Sequence, residues 1–334
     1  MIPQVYNRQR PTRVPIKADF RKYLERSEVD PFVLNLRDKT LMEVIEIATQ
    51  AKSKRYPKYR KQVRGLVNNL KLIEKNYRVV LMPIQITDIF WDYFISFCSE
   101  RGLKLSSIST LANQLRAILN WAVKYDAKVS PTYADVKVKK PGCQAIALTA
   151  DELSRIKYFD IDLFYKGKRS DFIETMHKVR DMFILSCNLY QRHSDMVRIS
   201  RACFRKHVFK ITQQKTGNIA TVKIDKYSID PEATWDILHK YNYEAPYDRE
   251  ISNYNKRLHL LMRDIGFTDT VRIEERIKGE LVTKELPKWK LITSHTARRT
   301  AITTGVLRGI NVHNLKQCSG HTDLRVFDQY VRDE

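Results

Sequence analysis

Ser294-His295-Thr296-Ala297-Arg298 runs directly into a segment whose apolar residues Ile302, Val306 and Leu307 recur at helical spacing. The hydroxyl of Ser294 is expected to cap that helix, and His295 and Arg298, three apart, then share one face of its first turn. A helix start already attracts phosphate through its free N–H groups and its dipole. H-x-x-R strings are common by chance, so the weight of this one comes from its surroundings.

Downstream stand Ser319, Gly320 and His321, and nine residues beyond that histidine comes Tyr330, in Val326-Phe327-Asp328-Gln329-Tyr330. Upstream, Arg192 closes an apolar helix that contains Met182, Phe183, Ile184 and Leu185, with Ser194 and Asp195 just after it. Between them the apolar runs Phe204 to Thr212 and Ile219 to Ile224 flank Lys215-Thr216-Gly217-Asn218. Gly and Asn suit a tight turn, so the runs are expected to be strands of a hairpin with Lys215 at its tip.

Arg, Lys, H-x-x-R, His and Tyr in this order, at 192, 215, 295 to 298, 321 and 330, resemble the active site of the tyrosine recombinases, the phage integrase family. The likeness is strong over about 148 to 334 and weaker over about 53 to 140. Ser-His-Thr-Ala-Arg-Arg and Gln-Lys-Thr-Gly are most similar to integrases of Bacteroides-type mobile elements. The chain departs from the family twice. Leu189-Tyr190-Gln191-Arg192 stands where the family more often has Thr-Gly-x-Arg, and only four residues follow Tyr330.

The resemblance implies a multidomain α and α+β protein. A SAM-like helical core-binding domain would clamp DNA, and a mixed, mainly helical catalytic domain would carry a small antiparallel sheet. It implies a transesterification in which Tyr330 takes the 3′ phosphate and frees a 5′ hydroxyl, strands then exchanging through a Holliday junction. The bond energy stays in the phosphotyrosine, so no cofactor and no metal is expected. The implied partner is double-stranded DNA at core recombination sites, with accessory DNA-bending or directionality proteins left open.

The residue types suit that chemistry in their own right. Charge accumulates on the oxygens around phosphorus during attack, and two planar guanidiniums, Arg192 and Arg298, can bind them in pairs. His295 and His321 can donate further hydrogen bonds, and His295 is placed to take the tyrosine proton. A phenol with a pKa of about 10 needs such help at neutral pH. Lys215 would protonate the departing 5′ oxygen, and Asp195 would orient a neighbouring active-site side chain. Tyr330 is one of 17 tyrosines and is preferred over Tyr241, Tyr243, Tyr247 and Tyr254 for its place after His321.

Outward from this set, four helical patterns precede the site: Leu41, Val44, Ile45, Ala48; Val63, Leu66, Val67, Leu70; Ile86, Ile89, Phe90, Tyr93, Phe94, Phe97; and Ile108, Leu111, Leu115, Ile118, Leu119, Ala122. They predict a small bundle. The expected division is a basic arm at 1–35, the core-binding domain at 36–135, a linker at 136–147 broken by Pro141 and Gly142, and the catalytic domain at 148–334. Further helices are expected at 150–157, 172–190, 231–241 and 252–265.

Lys and Arg number 60 against 38 acidic residues, a net charge of +22, and residues 1 to 80 hold 19 basic and 8 acidic side chains, half of that excess. A polyanion is the natural partner. The five cysteines, Cys98, Cys143, Cys187, Cys203 and Cys318, form no C-x-x-C pair and suit reduced thiols. No stretch approaches the roughly 18 apolar residues of a membrane span, and a cytoplasmic, nucleoid-associated bacterial protein is expected. In the family a segment after the nucleophile commonly docks on a neighbouring subunit. Val331 to Glu334 can bury almost nothing toward the roughly 1,000 Å² of a stable interface, so a monomer is expected without DNA and a homotetramer on it.

Two alternatives stay open at this point. A type IB topoisomerase shares the Arg, Lys, Arg, His and Tyr chemistry but relaxes supercoils, and a repressor on the same fold would bind DNA without cutting it.

Overall fold

A computed structural model describes residues 35–135, 138, 146–277 and 280–322, the side chains of 275–281 excepted. All but the last residue of the expected arm at 1–35 and most of the expected linker fall outside the described residues, as does Tyr330. The chain divides into two compact units, Met1–Pro141 with Glu275–Val282 and Gly142–Glu274 with Thr283–Glu334, each with its own apolar core.

Among the described residues the first unit holds four α-helices: α1 Leu41–Arg55, α2 Tyr59–Tyr77, α3 Asp88–Glu100 and α4 Leu105–Val123. Thr40 starts α1 by accepting from the Glu43 N–H while the Glu43 carboxylate accepts from the Thr40 N–H, a reciprocal cap that satisfies two otherwise orphaned donors. Leu41, Val44, Ile45 and Ala48 are buried, as are all six apolar residues expected on α4. On α2, Val63, Leu66 and Leu70 are buried and Val67 only partly.

The face expected for α3 is rotated. Ile89 is 76% exposed and Tyr93 41%, while Ile86 is buried but precedes the helix, whose cap is Thr87. Phe94 and Phe97 face the core as expected, joined by Trp91 and Cys98. Asp88, Asp92, Ser96 and Glu100 hold the exposed face, and the large indole of Trp91 turns the buried stripe toward itself by burying more surface than Ile89 or Tyr93 would. The Trp91 N–H is also satisfied, donating to the Tyr133 carbonyl at 3.1 Å.

The second unit is built round α7. Its elements are α5 Ala150–Tyr158, α6 Ile161–Phe164, α7 Ser170–Leu189, α8 His193–Met196, β1 Phe204–Arg205, β2 Val208–Thr212 and β3 Ile219–Lys223. There follow α9 Ile224–Tyr227, α10 Pro231–Lys240, α11 Ile251–Asp264, β4 Thr270–Ile277, β5 Glu280–Pro287, α12 Ser294–Leu307 and α13 Val312–Ser319, residues 275–282 of the β4–β5 pair being grouped with the first unit. Every residue from Asp181 to Leu189 is buried, so the apolar run read in the sequence is a central helix with neighbours on all sides.

β1, β2 and β3 form an antiparallel sheet in that order, with Phe209 opposite Val222 and Ile211 opposite Ala220 on the buried face. One expectation needs correction here. Phe204 to Thr212 is not one strand, because Lys206 turns into the left-handed region at φ 54° and folds β1 back on β2. Residues 213 to 218 connect β2 and β3, closed by Gln213 N–H to Asn218 O at 2.8 Å and Gly217 N–H to Gln213 O at 2.9 Å. The two-stranded sheet of β4 and β5 was not placed by the periodicity. No helix among the described residues is long and apolar enough to cross a membrane.

Candidate active site

Four segments far apart in sequence supply the site. α7 ends at Tyr190 with φ 62°, a left-handed conformation that costs a side-chain-bearing residue about 1 kcal/mol. This is the position where the resembling family more often has Gly. Tyr190 keeps the turn and secures it, its hydroxyl donating to Tyr227 O at 2.7 Å and its own carbonyl accepting from Arg298 Nη1 at 3.0 Å. Tyr190 thus holds a left-handed turn without a glycine. Arg192, two residues on, caps α8 and retains 20% side-chain exposure.

The second segment is the turn carrying the exposed Lys215. Asp195 on α8 is fully buried, and its Oδ1 accepts from the Gln214 N–H at 2.8 Å while its Oδ2 faces Arg192 Nη1 at 4.0 Å. It thus links the arginine to the lysine turn.

The third segment is the start of α12. Its cap is Thr293, not the expected Ser294: Thr293 Oγ1 accepts from the His295 N–H, and Ser294 is the first helical residue, buried beside Asn255. The β-hydroxyl one position earlier has the extended backbone a cap requires. Arg298 lies one turn in and is fully buried. Its Nη2 donates to Ser319 O at 2.6 Å and lies 3.0 Å from His321 Nε2.

The fourth is the left-handed turn at Gly320, φ 67°, which ends α13 and delivers His321. Ser319 Oγ lies 2.9 Å from His321 Nδ1.

The electrostatics tie the set together. His295 reaches solvent, yet packing desolvates its charged form, and Arg299, Arg298, Arg192 and Lys215 add like charge, lowering its pKa to about 4. For His321, burial and then Arg298, Arg192 and His295 lower it to about 3. Both imidazoles are neutral at pH 7. Arg192, Lys215, Arg298 and His321 all lie within electrostatic reach of His295, and Asp195 links Arg192 to the lysine turn. Tyr330 lies outside the described residues.

Depressed imidazole pKa values bear on stability. The unfolded histidines, with an ordinary pKa of 6.5, bind protons that the folded ones refuse. Stability should therefore fall as pH drops from about 6.5 toward 4. Melting temperature against pH at constant ionic strength checks this, and His321→Gln should flatten the slope; a slope unchanged by that variant would contradict it.

Sequence reasoning missed Gln191 and Gln213, 0% and 1% exposed, which lie beneath these residues. The one signal was Gln213-Gln214 directly before Lys215 at the end of an apolar strand, where a polar residue facing inward must find partners.

No family model and no curated protein matches the chain. Solved structures do. A lambda integrase dimer bound to a COC′ core site is 16% identical, with TM-score 0.61, over 88% of this chain and 96% of that one. A Tn1549 transposon integrase in complex with circular intermediate DNA is 12% identical, with TM-score 0.60, over 87% and 94%. A lambda integrase tetramer bound to a Holliday junction is 15% identical, with TM-score 0.56, over 88% and 78%. At such identities the likeness defines the fold: this chain has the fold of the DNA integrases, mainly helical with a small antiparallel sheet.

Proposed function

We propose that this chain is a tyrosine-type site-specific DNA recombinase, cutting one strand with Tyr330 and rejoining it to another through a 3′-phosphotyrosine. The observation that carries this reading is the convergence of Arg192, Lys215, His295, Arg298 and His321, from four segments spread over 130 positions, into one cluster of cations and neutral imidazoles on an integrase fold.

A phosphodiester entering the site would meet the partly exposed Arg192 and the imidazoles first, with Arg298 holding His321 from beneath. Neutral His295 is in the form that accepts a proton. Arrival of the phosphate anion offsets the surrounding cations and raises its basicity when the tyrosine must be deprotonated. The Tyr330 oxygen bonds to phosphorus, its proton passes to His295, and the bond to the 5′ oxygen breaks as Lys215 protonates the leaving group. The reverse step, with a different 5′ hydroxyl, completes strand transfer. The similar structures of an integrase tetramer on a Holliday junction and of integrases on DNA support a tetramer on paired sites. The Ser294 to Arg299 and Gln214 to Gly217 phrases support an integrase of a Bacteroides-type mobile element.

The decisive experiment incubates the full chain with sheared genomic DNA, denatures it, and sequences what remains covalently attached. A recurring short core site is expected. No adduct on any fragment would leave a non-catalytic DNA binder, and supercoil relaxation without two-site recombination would leave a topoisomerase.

Duplex affinity should fall steeply with salt, because many lysines and arginines displace counterions. Deleting residues 1–35 should reduce the slope of log affinity against log salt by about one for each phosphate that this segment neutralises. An unchanged slope would show that the segment does not touch DNA.

A further inference from the structure

Gln213 directly follows β2, two residues before Lys215, and its side-chain amide uses all of its hydrogen-bonding capacity. Oε1 accepts from Arg192 Nη1 at 2.9 Å and from Thr216 Oγ1 at 3.1 Å. Nε2 donates to Gln191 Oε1 at 2.9 Å and to Ser319 O at 2.8 Å. The orientation is forced: a guanidinium only donates and a backbone carbonyl only accepts, so a flipped amide would oppose like groups at both ends. Gln191 is fixed in the same way, its Nε2 donating to Leu189 O at 2.6 Å and Cys318 O at 2.8 Å, which leaves only its oxygen to face Gln213.

The opposite side of the amide is closed by Gly320. A Cβ there would lie 2.6 Å from Gln213 Cδ and 2.7 Å from Nε2, so the glycine turn presses directly on the amide. Three of the four site segments therefore meet at one buried side chain: Arg192 after α7, the Lys215 turn, and the Ser319 to His321 turn. The fourth joins through the same atom, because Ser319 O also accepts from Arg298. In a low-dielectric interior such a fully satisfied network is stiff, and one mismatched member disturbs the rest.

We propose that Gln213 is a positioning residue which, seated by Gln191 and Gly320, holds Arg192, the Lys215 turn and the His321 turn in register around the scissile phosphate. It touches neither phosphate nor nucleophile. The inference rests on the strand-transfer reading for its catalytic consequence, while its geometric content stands apart from that reading.

The test uses the full chain with two substitutions. Gln213→Glu keeps size but turns the donor facing Ser319 O and Gln191 Oε1 into an acceptor and neutralises Arg192. Gln191→Met removes the brace alone. With the duplex recovered by covalent capture, single-turnover adduct formation at saturating DNA should slow about a hundredfold for Gln213→Glu, as for loss of one preorganised donor. Duplex affinity should stay within about threefold, because it is spread over many phosphates. A merely structural role predicts the opposite split: weaker binding or a lower melting temperature with the saturated rate unchanged, and that result overturns the proposal. A second readout is titration with inorganic vanadate, a phosphate mimic, followed by the imidazole NMR signals of His295 and His321. Each variant should bind it about tenfold more weakly than the parent chain. If the parent chain yields no adduct, the strand-transfer reading falls, and equal vanadate affinity in parent and variants would sink the positioning role independently.

Discussion

Tyr330→Phe should yield no covalent protein–DNA adduct while binding core-site duplex as tightly as the parent chain. The phenolic oxygen is the only atom removed, and it is the proposed nucleophile, whereas affinity arises from phosphate contacts distributed over the protein. The rival tyrosines are poorly placed for attack. Tyr254 and Tyr247 are buried, at 1% and 5% exposure, and burial raises the Tyr254 pKa well above its ordinary 10. The Tyr241 hydroxyl donates to Asp181 at 2.9 Å, and burial together with that carboxylate raises its pKa too. Tyr243 packs its ring against Phe204 and beneath Arg201. Denaturing gel electrophoresis of a suicide substrate carrying a nick near the cut provides the measurement. Adduct persisting in Tyr330→Phe would move the nucleophile elsewhere.

Lys215→Ala should slow cleavage by about 10² to 10⁴, the range of a lost general acid. The loss should be largely restored when the bridging 5′ oxygen is replaced by sulfur, since a thiolate leaves without a proton. Selectivity is the point of the test. Arg192→Ala should not be rescued by sulfur, because its guanidinium would stabilise charge on the non-bridging oxygens. Equal rescue of both variants, or of neither, would remove Lys215 from the acid role. The exposed position of Lys215, on a turn tied back to Asp195 through the Gln214 N–H, gives it reach without leaving its anchor to chance.

Most of the helical framework was legible in the chain because one stripe of apolar residues fits one helix face only once. α1 and α4 bury the residues their spacing named. α3 does so only in part: Phe94 and Phe97 are buried as named, but Trp91 turns the buried stripe away from Ile89 and Tyr93. The turn between β2 and β3 was legible from Gly217 and Asn218, and Gly217 adopts φ 71°. The break at Lys206 escaped because it depends on a strand folding back on its neighbour rather than on a local Gly or Pro signal.

By itself, the sequence determined the chemical inventory: two arginines, a lysine, two histidines and a tyrosine in the order on which the proposed phosphodiester chemistry rests, together with a charge of +22 that favours a polyanionic partner. These depend on residue type and local period, which the chain carries directly. Tertiary structure alone decided that His295 and His321 are neutral, that Arg298 is buried under His321, that Tyr190 adopts the left-handed turn in glycine's place, and that Gln213 joins three of the site's segments. Those outcomes are set by burial and by partners brought in from other segments, such as Arg192 for Gln213 and Arg298 for His321, and neither leaves a periodic trace in the chain.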